Sequence, residues 1–413
     1  MKIVHYSSQL EGGAGILMAR LHRGLVRRGI ESHLRYRRGL AIEADAQRVE
    51  FAQGWGARLR ERLIWKLDHS AVRPGAPSPF NRSRGVRHTD LLACDRDADI
   101  VHLHSVGKWL NISRFIRSVP ERAAIVWTIH DMTALAGGCS IDIGCPGIEN
   151  GCRTCPLLRA PFDKVLARGE WRRRERALRG RKVFVVANSR YTAGLAERAC
   201  VFPSSRKIAT ILPGLDPQKF VAHPKSEARR LLGVGADRLV LGFGAAALTD
   251  ANKGFGRFRA IAERVAQRLG GLEIVLFGDG VSGVSVANAR VTSIGRVNAP
   301  SLLSLAYSAM DAFLVCSRIE TFCQTAIEAQ SSGTPVWAFA VGGLADAVAD
   351  GETGTLQPFG DVDRMAESLV AAYQAGRLPG MGEAGRARAA EHLHIDSMVA
   401  QYQRIYSTAC PGL

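Results

Sequence analysis

The sequence predicts an α/β protein of two domains, and three observations carry that expectation. Its 413 residues exceed what a single hydrophobic core usually serves. Short apolar runs alternate along the chain with longer segments of helical periodicity, the pattern of strand–helix–strand units around parallel sheets. One stretch, Asp311 to Gly343 (DAFLVCSRIETFCQTAIEAQSSGTPVWAFAVGG), shows such a unit complete. Ala312 to Cys316 reads as a buried parallel strand, and Ser317 to Glu320 as a loop. Phe322 to Gln330 reads as a helix with Phe322, Ala326, Ile327 and Ala329 on its apolar side. Gly333 suits the helix end, Pro335 forbids continuation, and Val336 to Phe339 is the next strand. The loop falls at the carboxyl end of a parallel strand, where open α/β sheets bind ligands. The helix after it offers free N–H groups to an anion.

Composition narrows the class. Hydrophobic residues make up 46% of the chain, ordinary for a soluble globular protein. No apolar run reaches the 18 to 20 or so residues of a membrane span, and Met1 leads directly into a strand-like run with no secretory signal. The expectation is a cytoplasmic protein whose nine cysteines are reduced. The formal charge of +17 is uneven. Residues 1–200 hold 35 Lys and Arg against 19 Asp and Glu, a net of +16; residues 201–413 hold 20 against 19, a net of +1. A basic first half points to an anionic partner such as lipid, a phosphorylated acceptor or nucleic acid, or else to a solvated Arg-rich surface.

Taken in order, Lys2 to Tyr6 is a first strand. A Gly-rich turn through Gly12, Gly13 and Gly15 follows, then a helix with Ile16, Leu17, Leu21 and Leu25 inward. Residues 29–36 are the second strand. Arg58 to Leu67 (RLRERLIWKL) reads as an amphipathic helix, either lying on a membrane surface or, more commonly, with its apolar face on the core. Pro74 to Arg87 reads as a mobile loop. Asp99 to His104 and Ala123 to Ile129 are further strands, the second followed at once by His130 and Asp131. Cys139, Cys145, Cys152 and Cys155 lie within a Gly-rich, helix-poor segment. Four cysteines at this spacing in a reducing compartment suit structural zinc, with an iron–sulfur site or free thiols as alternatives. Asp163 to Lys182 is a strongly basic helix, and Val183 to Ala187 a strand. Leu239 to Gly244 opens a second domain, with Ile274 to Phe277 a further strand.

Glu320 and Glu328 flank the turn of the 311–343 unit. Read as isolated residues they would be a solvated loop carboxylate and a helix carboxylate paired with a base. The string E-x-F-x-x-x-x-x-E-A-x-x-x-G-x-P-V from Glu320 to Val336 resembles the Glu-x7-Glu signature of GT-B fold retaining glycosyltransferases of family 4. The resemblance runs from Lys2 to about residue 405 and is weakest over 40–98. It implies two Rossmann-like domains facing each other across a cleft. Residues 1–205 would form the acceptor-side domain, 206–394 the nucleotide-sugar domain, and a C-terminal helix at 395–413 would pack back on the first.

By the same resemblance the donor is a UDP- or GDP-linked sugar held by Gly12, Gly13, Lys253, Arg296, Val297, the Thr321, Phe322, Cys323 and Gln324 amides, and Glu328. His130 and Glu320 would serve the reaction centre, with His104 near it. The Arg that precedes the Lys in the family falls at Ala247, a departure; Arg257 is one candidate to replace it. The segment from His130 through the cysteines is similar to the subset that builds bacterial exopolysaccharide of the colanic-acid type. That implies a saccharide or lipid-linked acceptor, peripheral contact with anionic membrane at the inner face of the cell membrane, no nucleic-acid partner and no catalytic divalent metal. Rival readings are a basic, zinc-stapled module binding nucleic acid or another anion, and a GT-B epimerase or phosphorylase. The Glu320/Glu328 unit argues against the first, and the lack of an identifiable pyridoxal-binding lysine against a phosphorylase.

Overall fold

The structure is a computed structural model that describes residues 1–39, 46–49, 55–83, 90–204 and 206–411, without the side chains at 57, 58, 60 and 61. The chain divides into two compact units, Met1–Leu212 with Met398–Leu413, and Pro213–Ser397. The sequence-based boundary at 205 falls on a residue outside those described, and the division comes at 212/213.

The first unit holds one sheet of seven strands. These are β1 (Lys2–Gln9), β2 (Glu31–Arg38), β3 (Ala46–Arg48), β4 (Ile100–Leu103), β5 (Ala124–Ile129), β6 (Val183–Ala187) and β7 (Lys207–Thr210), in spatial order β3-β2-β1-β4-β5-β6-β7. Every neighbouring pair is parallel. Strands β4, β5 and β6 are buried throughout, which is why they read as continuous apolar runs rather than alternating ones. Trp109, Phe115 and Trp127 fill the core.

The second unit repeats the plan with six strands: β8 (Val240–Ala247), β9 (Leu272–Asp279), β10 (Ala289–Ser293), β11 (Ala312–Val315), β12 (Val336–Phe339) and β13 (Gly354–Gln357), ordered β10-β9-β8-β11-β12-β13 and again all parallel. Phe243, Phe258 and Trp337 anchor its core. The predicted class, α/β with two Rossmann-like parallel-sheet domains, is the observed one. The final helix, Ile395–Ala409, carries the chain back to the first unit. Val399 there lies against Gly24, where a Cβ would come within 2.3 Å of its methyl. Tyr402 and Tyr406 hydrogen-bond Thr128 and His102 at 3.0 and 2.8 Å. Residues 412 and 413 of the expected C-terminal segment lie outside the described residues.

Several local expectations change. The second strand starts at Glu31, not 29, because Ile30 still completes the preceding helix end with an N–H bond to the Leu25 carbonyl. The first helix begins at Gly12, so Gly12 and Gly13 form its opening turn. The 311–343 helix begins at Gln324, not Phe322, because Cys323 sits at φ +95° and interrupts the helical backbone.

The amphipathic stretch belongs to a helix at Trp55–Ala71. Its large apolar side chains Trp55, Leu59, Leu63, Trp65 and Leu67 face solvent, while Asp68 and Ala71 are buried. The common reading, apolar face on the core, does not hold here. Pro74, Gly75 and Pro77 of the expected mobile loop are exposed, but its next part is packed down: Asn81 N–H donates to the Gly138 carbonyl at 2.7 Å, and Phe80 is buried beside Gly138. Residues 84–87 lie outside the described residues. The basic helix, Phe162–Leu178, buries Asp163, Glu170 and Arg174 against its own domain, so its charge is not wholly on a solvated face.

Candidate functional site

In the second unit the loop after β11 is built by the turn that follows β8. Gly254 has φ +75°, and a Cβ there would lie 2.2 Å from the Cys316 carbonyl, so only glycine allows the two segments to meet. Asn252 then zips them together. Its carbonyl accepts from Arg318 N–H at 2.7 Å, its Nδ2 donates to the Ile319 carbonyl at 3.0 Å, and its Oδ1 accepts from Ile319 N–H at 3.3 Å. The consequence is a short ion pair: Lys253 Nζ is 2.6 Å from Glu320 Oε1, which also accepts from Ser317 Oγ at 2.7 Å. The Glu320 side chain is 12% exposed, so it is no free loop carboxylate. Burial opposes the Lys253 charge, but Glu320 outweighs it and holds the amine above its usual range.

A second clamp comes from the other side. Gly343 N–H donates to the Glu320 carbonyl at 2.8 Å. Gly342, at φ +53°, passes so close that a Cβ would lie 2.0 Å from the same oxygen. Next come Thr321 and the buried Phe322, then Cys323, whose thiol meets the Thr325 hydroxyl at 3.3 Å. The helix Gln324–Ser331 starts there, and Glu328 is buried within it. Burial pushes the Cys316 and Cys323 thiols up to about 12, so neither is a nucleophile at neutral pH. Arg257 donates from Nε to the Cys316 carbonyl at 2.9 Å and stacks its guanidinium over Phe359, 5.1 Å from the ring centre. Its Nη2 is buried without a hydrogen-bond partner among the described residues. Arg296 and Val297 lie on the loop after β10, where Arg296 pairs with Asp279 at 3.1 Å on the surface.

In the first unit, Gly12 and Gly13 are exposed at a helix N-terminus. His130 follows β5, and Asp131 beside it caps the next turn: Oδ1 accepts from Thr133 N–H at 2.7 Å and Oδ2 from Ser105 Oγ at 3.1 Å. His130 Nε2 lies 3.0 Å from His104 Nδ1, and His104 Nε2 lies 3.2 Å from His5 Nδ1. Burial lowers all of these rings. His130 is pushed down to about 3, and His5, His102 and His104 fall well below the usual histidine range.

The four cysteines line one small cavity with Phe80 and Ala167. Gly137 N–H donates to Cys152 Sγ at 3.2 Å. The fully buried Arg174, on the helix beneath, donates to the Ala136 carbonyl at 2.6 Å and sits near Cys152 and Cys139. Burial raises the Cys139 and Cys155 thiols and pushes Cys152 up to about 11. All four are free. Their sulfurs are not drawn to ligand spacing. Among the described residues the set of three or more metal-ligating groups whose atoms all lie within 4.8 Å is His5, His102 and His104.

Sequence reasoning missed Ser317, Asn252 and the clamping role of Gly342, each defined by a contact between distant segments. It also missed His5 and Arg174. The one signal for His5 was its place in a strand that pairs with the histidine-bearing Asp99–His104 run.

Two all-parallel Rossmann-like domains define the GT-B class. Solved structures share this fold along the whole chain. Sucrose-phosphate synthase from Thermosynechococcus elongatus has a TM-score of 0.66 at 17% identity, covering 99% of both chains. HepE from Anabaena, in complex with UDP and glucose, has a TM-score of 0.67 at 16% identity, covering 99% of this chain and 100% of that one. WaaG, a glycosyltransferase involved in lipopolysaccharide biosynthesis, has a TM-score of 0.65 at 16% identity with the same coverage. The profile "Glycosyltransferase Family 4" matches residues 11–219, and "Glycosyl transferases group 1" matches 238–375. The chain belongs to glycosyltransferase family 4.

Curated relatives carry the name D-inositol 3-phosphate glycosyltransferase. That of Mycolicibacterium paratuberculosis is 33% identical over 223 residues, 48% of this chain and 47% of the relative. That of Stackebrandtia nassauensis is 38% identical over 168 residues, 36% of this chain and 37% of the relative. The chain spans about half the length of the first of these relatives, and less of the second.

Proposed function

We propose that this protein is a retaining glycosyltransferase that moves a hexosyl group from a UDP- or GDP-sugar to a saccharide or lipid-linked acceptor in the synthesis of a bacterial surface glycan. The observation that carries this reading is the Lys253–Glu320 pair at the carboxyl end of the β8/β11 strands, beside the N-terminus of the Gln324–Ser331 helix. A cation and a helix N-terminus at one strand end suit a diphosphate. In this reading Lys253, the amides of Thr321 to Gln324 and the Gly12-Gly13 turn take up charge as the bond from the anomeric carbon to the diphosphate breaks. Glu320 orients Lys253 and the sugar. Glu328 takes the ribose, Arg296 and Val297 flank the base, and His130 holds the sugar. Arg257, beside the Cys316 carbonyl and with its Nη2 unpartnered among the described residues, stands in for the arginine absent at Ala247. Lys253 and the amides supply the neutralisation, so transfer is expected to survive EDTA.

Incubation with nucleotide-sugars and a lipid-diphosphate acceptor, read by NMR, tests the reading. Release of nucleoside diphosphate with an axial-to-axial or equatorial-to-equatorial product supports it, and an inverted product refutes retention. The relatives named as inositol phosphate glycosyltransferases support a second acceptor, an inositol phosphate, to be run in parallel.

A membrane-bound acceptor is supported by the solvent-facing Trp55 (79% exposed) and Trp65 (64%) on a helix that also exposes Arg62 and Lys66. No helix among the described residues is long and apolar enough to cross a membrane, so the contact would be peripheral. The cysteine cavity is proposed to hold one zinc through Cys139, Cys145, Cys152 and Cys155, with the sulfurs closing on the ion and Arg174 offsetting the thiolate charge. Elemental analysis decides it: one zinc per chain supports the site, whereas iron with sulfide, or no metal, refutes it.

A further inference from the structure

His130 does not stand alone. Its ring is the outer end of a line of three imidazoles. His130 Nε2 meets His104 Nδ1 at 3.0 Å, and His104 Nε2 meets His5 Nδ1 at 3.2 Å. The line is drawn by the sheet: His5 lies in β1, His104 directly after β4 and His130 directly after β5, three adjacent parallel strands. His104 and His5 are buried. The neighbouring rings are engaged elsewhere. His102, whose ring centre is 4.0 Å from that of His104, spends Nδ1 on the Tyr406 hydroxyl and Nε2 on the Thr128 hydroxyl, both at 2.8 Å. His22, beyond His5, bonds Ser32 through Nδ1 at 2.8 Å. His5 Nε2 has no hydrogen-bond partner among the described residues, so the line ends there.

A neutral imidazole has one N–H and one lone pair, on opposite nitrogens. Burial disfavours the imidazolium form of all three rings and keeps them neutral near pH 7. Each link needs one donor and one acceptor, and both links join an Nδ1 to an Nε2. If His104 carries its proton on Nδ1, it donates to His130 Nε2 and accepts from a His5 Nδ1–H. If it carries the proton on Nε2, it donates to His5 and accepts from His130 Nε2–H. No mixed state makes both bonds.

We infer that His5 and His104 are positioning residues that lock His130 into one tautomer, the three rings sharing the same protonated nitrogen and changing it only together. Nδ1 of His130 is thereby fixed as either a donor or an acceptor. That is the property a group meeting a sugar hydroxyl needs settled before the ligand arrives. The inference rests on the reading of His130 as a donor-sugar contact, but its test does not depend on activity.

The experiment is a long-range ¹H–¹⁵N correlation spectrum of the ¹⁵N-histidine-labelled full-length chain between pH 6 and 8. The expected result is that His5, His104 and His130 show one common tautomer, all Nδ1–H or all Nε2–H, without averaging. In His104→Phe, which keeps a ring in the core, His130 loses that lock and shows a tautomer mixture with a titration moved toward the ordinary range. Mixed tautomers in the wild-type chain overturn the inference, and so does stoichiometric metal held by His5, His102 and His104. If His104→Phe does not fold, the wild-type spectrum alone decides. A common tautomer in a protein that transfers no sugar would defeat the functional reading and leave this one standing.

Discussion

Lys253 Nζ lies 2.6 Å from Glu320 Oε1, and the two residues stand 67 positions apart in the chain. The pair joins the turn after β8 to the loop after β11, so each charge is held where the other needs it. Substituting Lys253 by Ala removes the cation and leaves Glu320 with Ser317 alone. The expected outcome is a loss of nucleotide-sugar affinity of about 1.5–3 kcal/mol, the scale of a hydrogen bond to a charged group.

Glu320→Gln is expected to abolish transfer while the protein stays folded. The Ser317 contact survives in the amide, and the loop is also held by Asn252 and Gly343. Glu320→Ala is costlier than a loop position suggests, because it strands a mostly enclosed Lys253. A stability loss of about 1–3 kcal/mol, read by denaturant unfolding, is the expected size. An unchanged midpoint would mean the ion pair adds nothing to the fold.

Gly342→Ala has a sharper target. The φ of +53° and the 2.0 Å approach to the Glu320 carbonyl leave no room for a methyl group. The backbone of the 320 loop has to move, so donor binding is expected to fall at least as far as in Lys253→Ala. Gly351→Ala is a control for left-handed strain alone, since its φ is +80° but its Cβ meets open space. Equal donor binding in the two variants would show that the close approach is unimportant.

The buried histidines make the protein acid-sensitive. Burial lowers His130 to about 3 and His5, His102 and His104 well below the usual value. Unfolded histidines take up protons near 6.5 while the folded ones do not, so stability is full above that pH and falls as pH drops below it. Each ring contributes a slope of up to about 1.4 kcal/mol per pH unit between 6.5 and its folded value. Calorimetry at pH 7.5, 6.0 and 5.0 is expected to show Tm falling with acidity, and His5→Phe is expected to flatten the slope.

Liposome sedimentation tests the exposed helix. The wild-type chain is expected to pellet with anionic vesicles at low salt and to release at high salt, since each basic group near such a surface contributes about 1 kcal/mol. A Trp55→Ser, Leu59→Ser, Leu63→Ser triple variant is expected to lose binding without losing the fold, because these side chains face solvent. Binding indifferent to lipid charge would contradict the electrostatic part.

The parallel strands were legible because burial on both faces writes them as unbroken apolar runs, as in Ala124–Ile129 and Ala312–Val315. The loop and helix of the 311–343 unit were legible from Gly333 and Pro335. The contact between Lys253 and Glu320 was not, since nothing local joins residues 67 apart. Cys323 at φ +95° was hidden because the residue type gives no sign of a backbone that neighbouring contacts impose. Periodicity marked the Trp55–Ala71 region as amphipathic but did not say which face the core would take, and it took the face with Asp68 and Ala71. The histidine line was invisible because strand order, not sequence spacing, brings β1, β4 and β5 side by side.

The central claim is that Lys253 and Glu320 form the diphosphate end of a nucleotide-sugar site. Isothermal titration of UDP-, GDP- and ADP-sugars into the wild-type chain and Lys253→Ala tests it most directly. The account predicts that one nucleotide class binds the wild type, and that Lys253→Ala weakens it about 10- to 150-fold, the equivalent of 1.5–3 kcal/mol. Binding of equal strength in both proteins, or no binding of any nucleotide-sugar by the wild type, would contradict it.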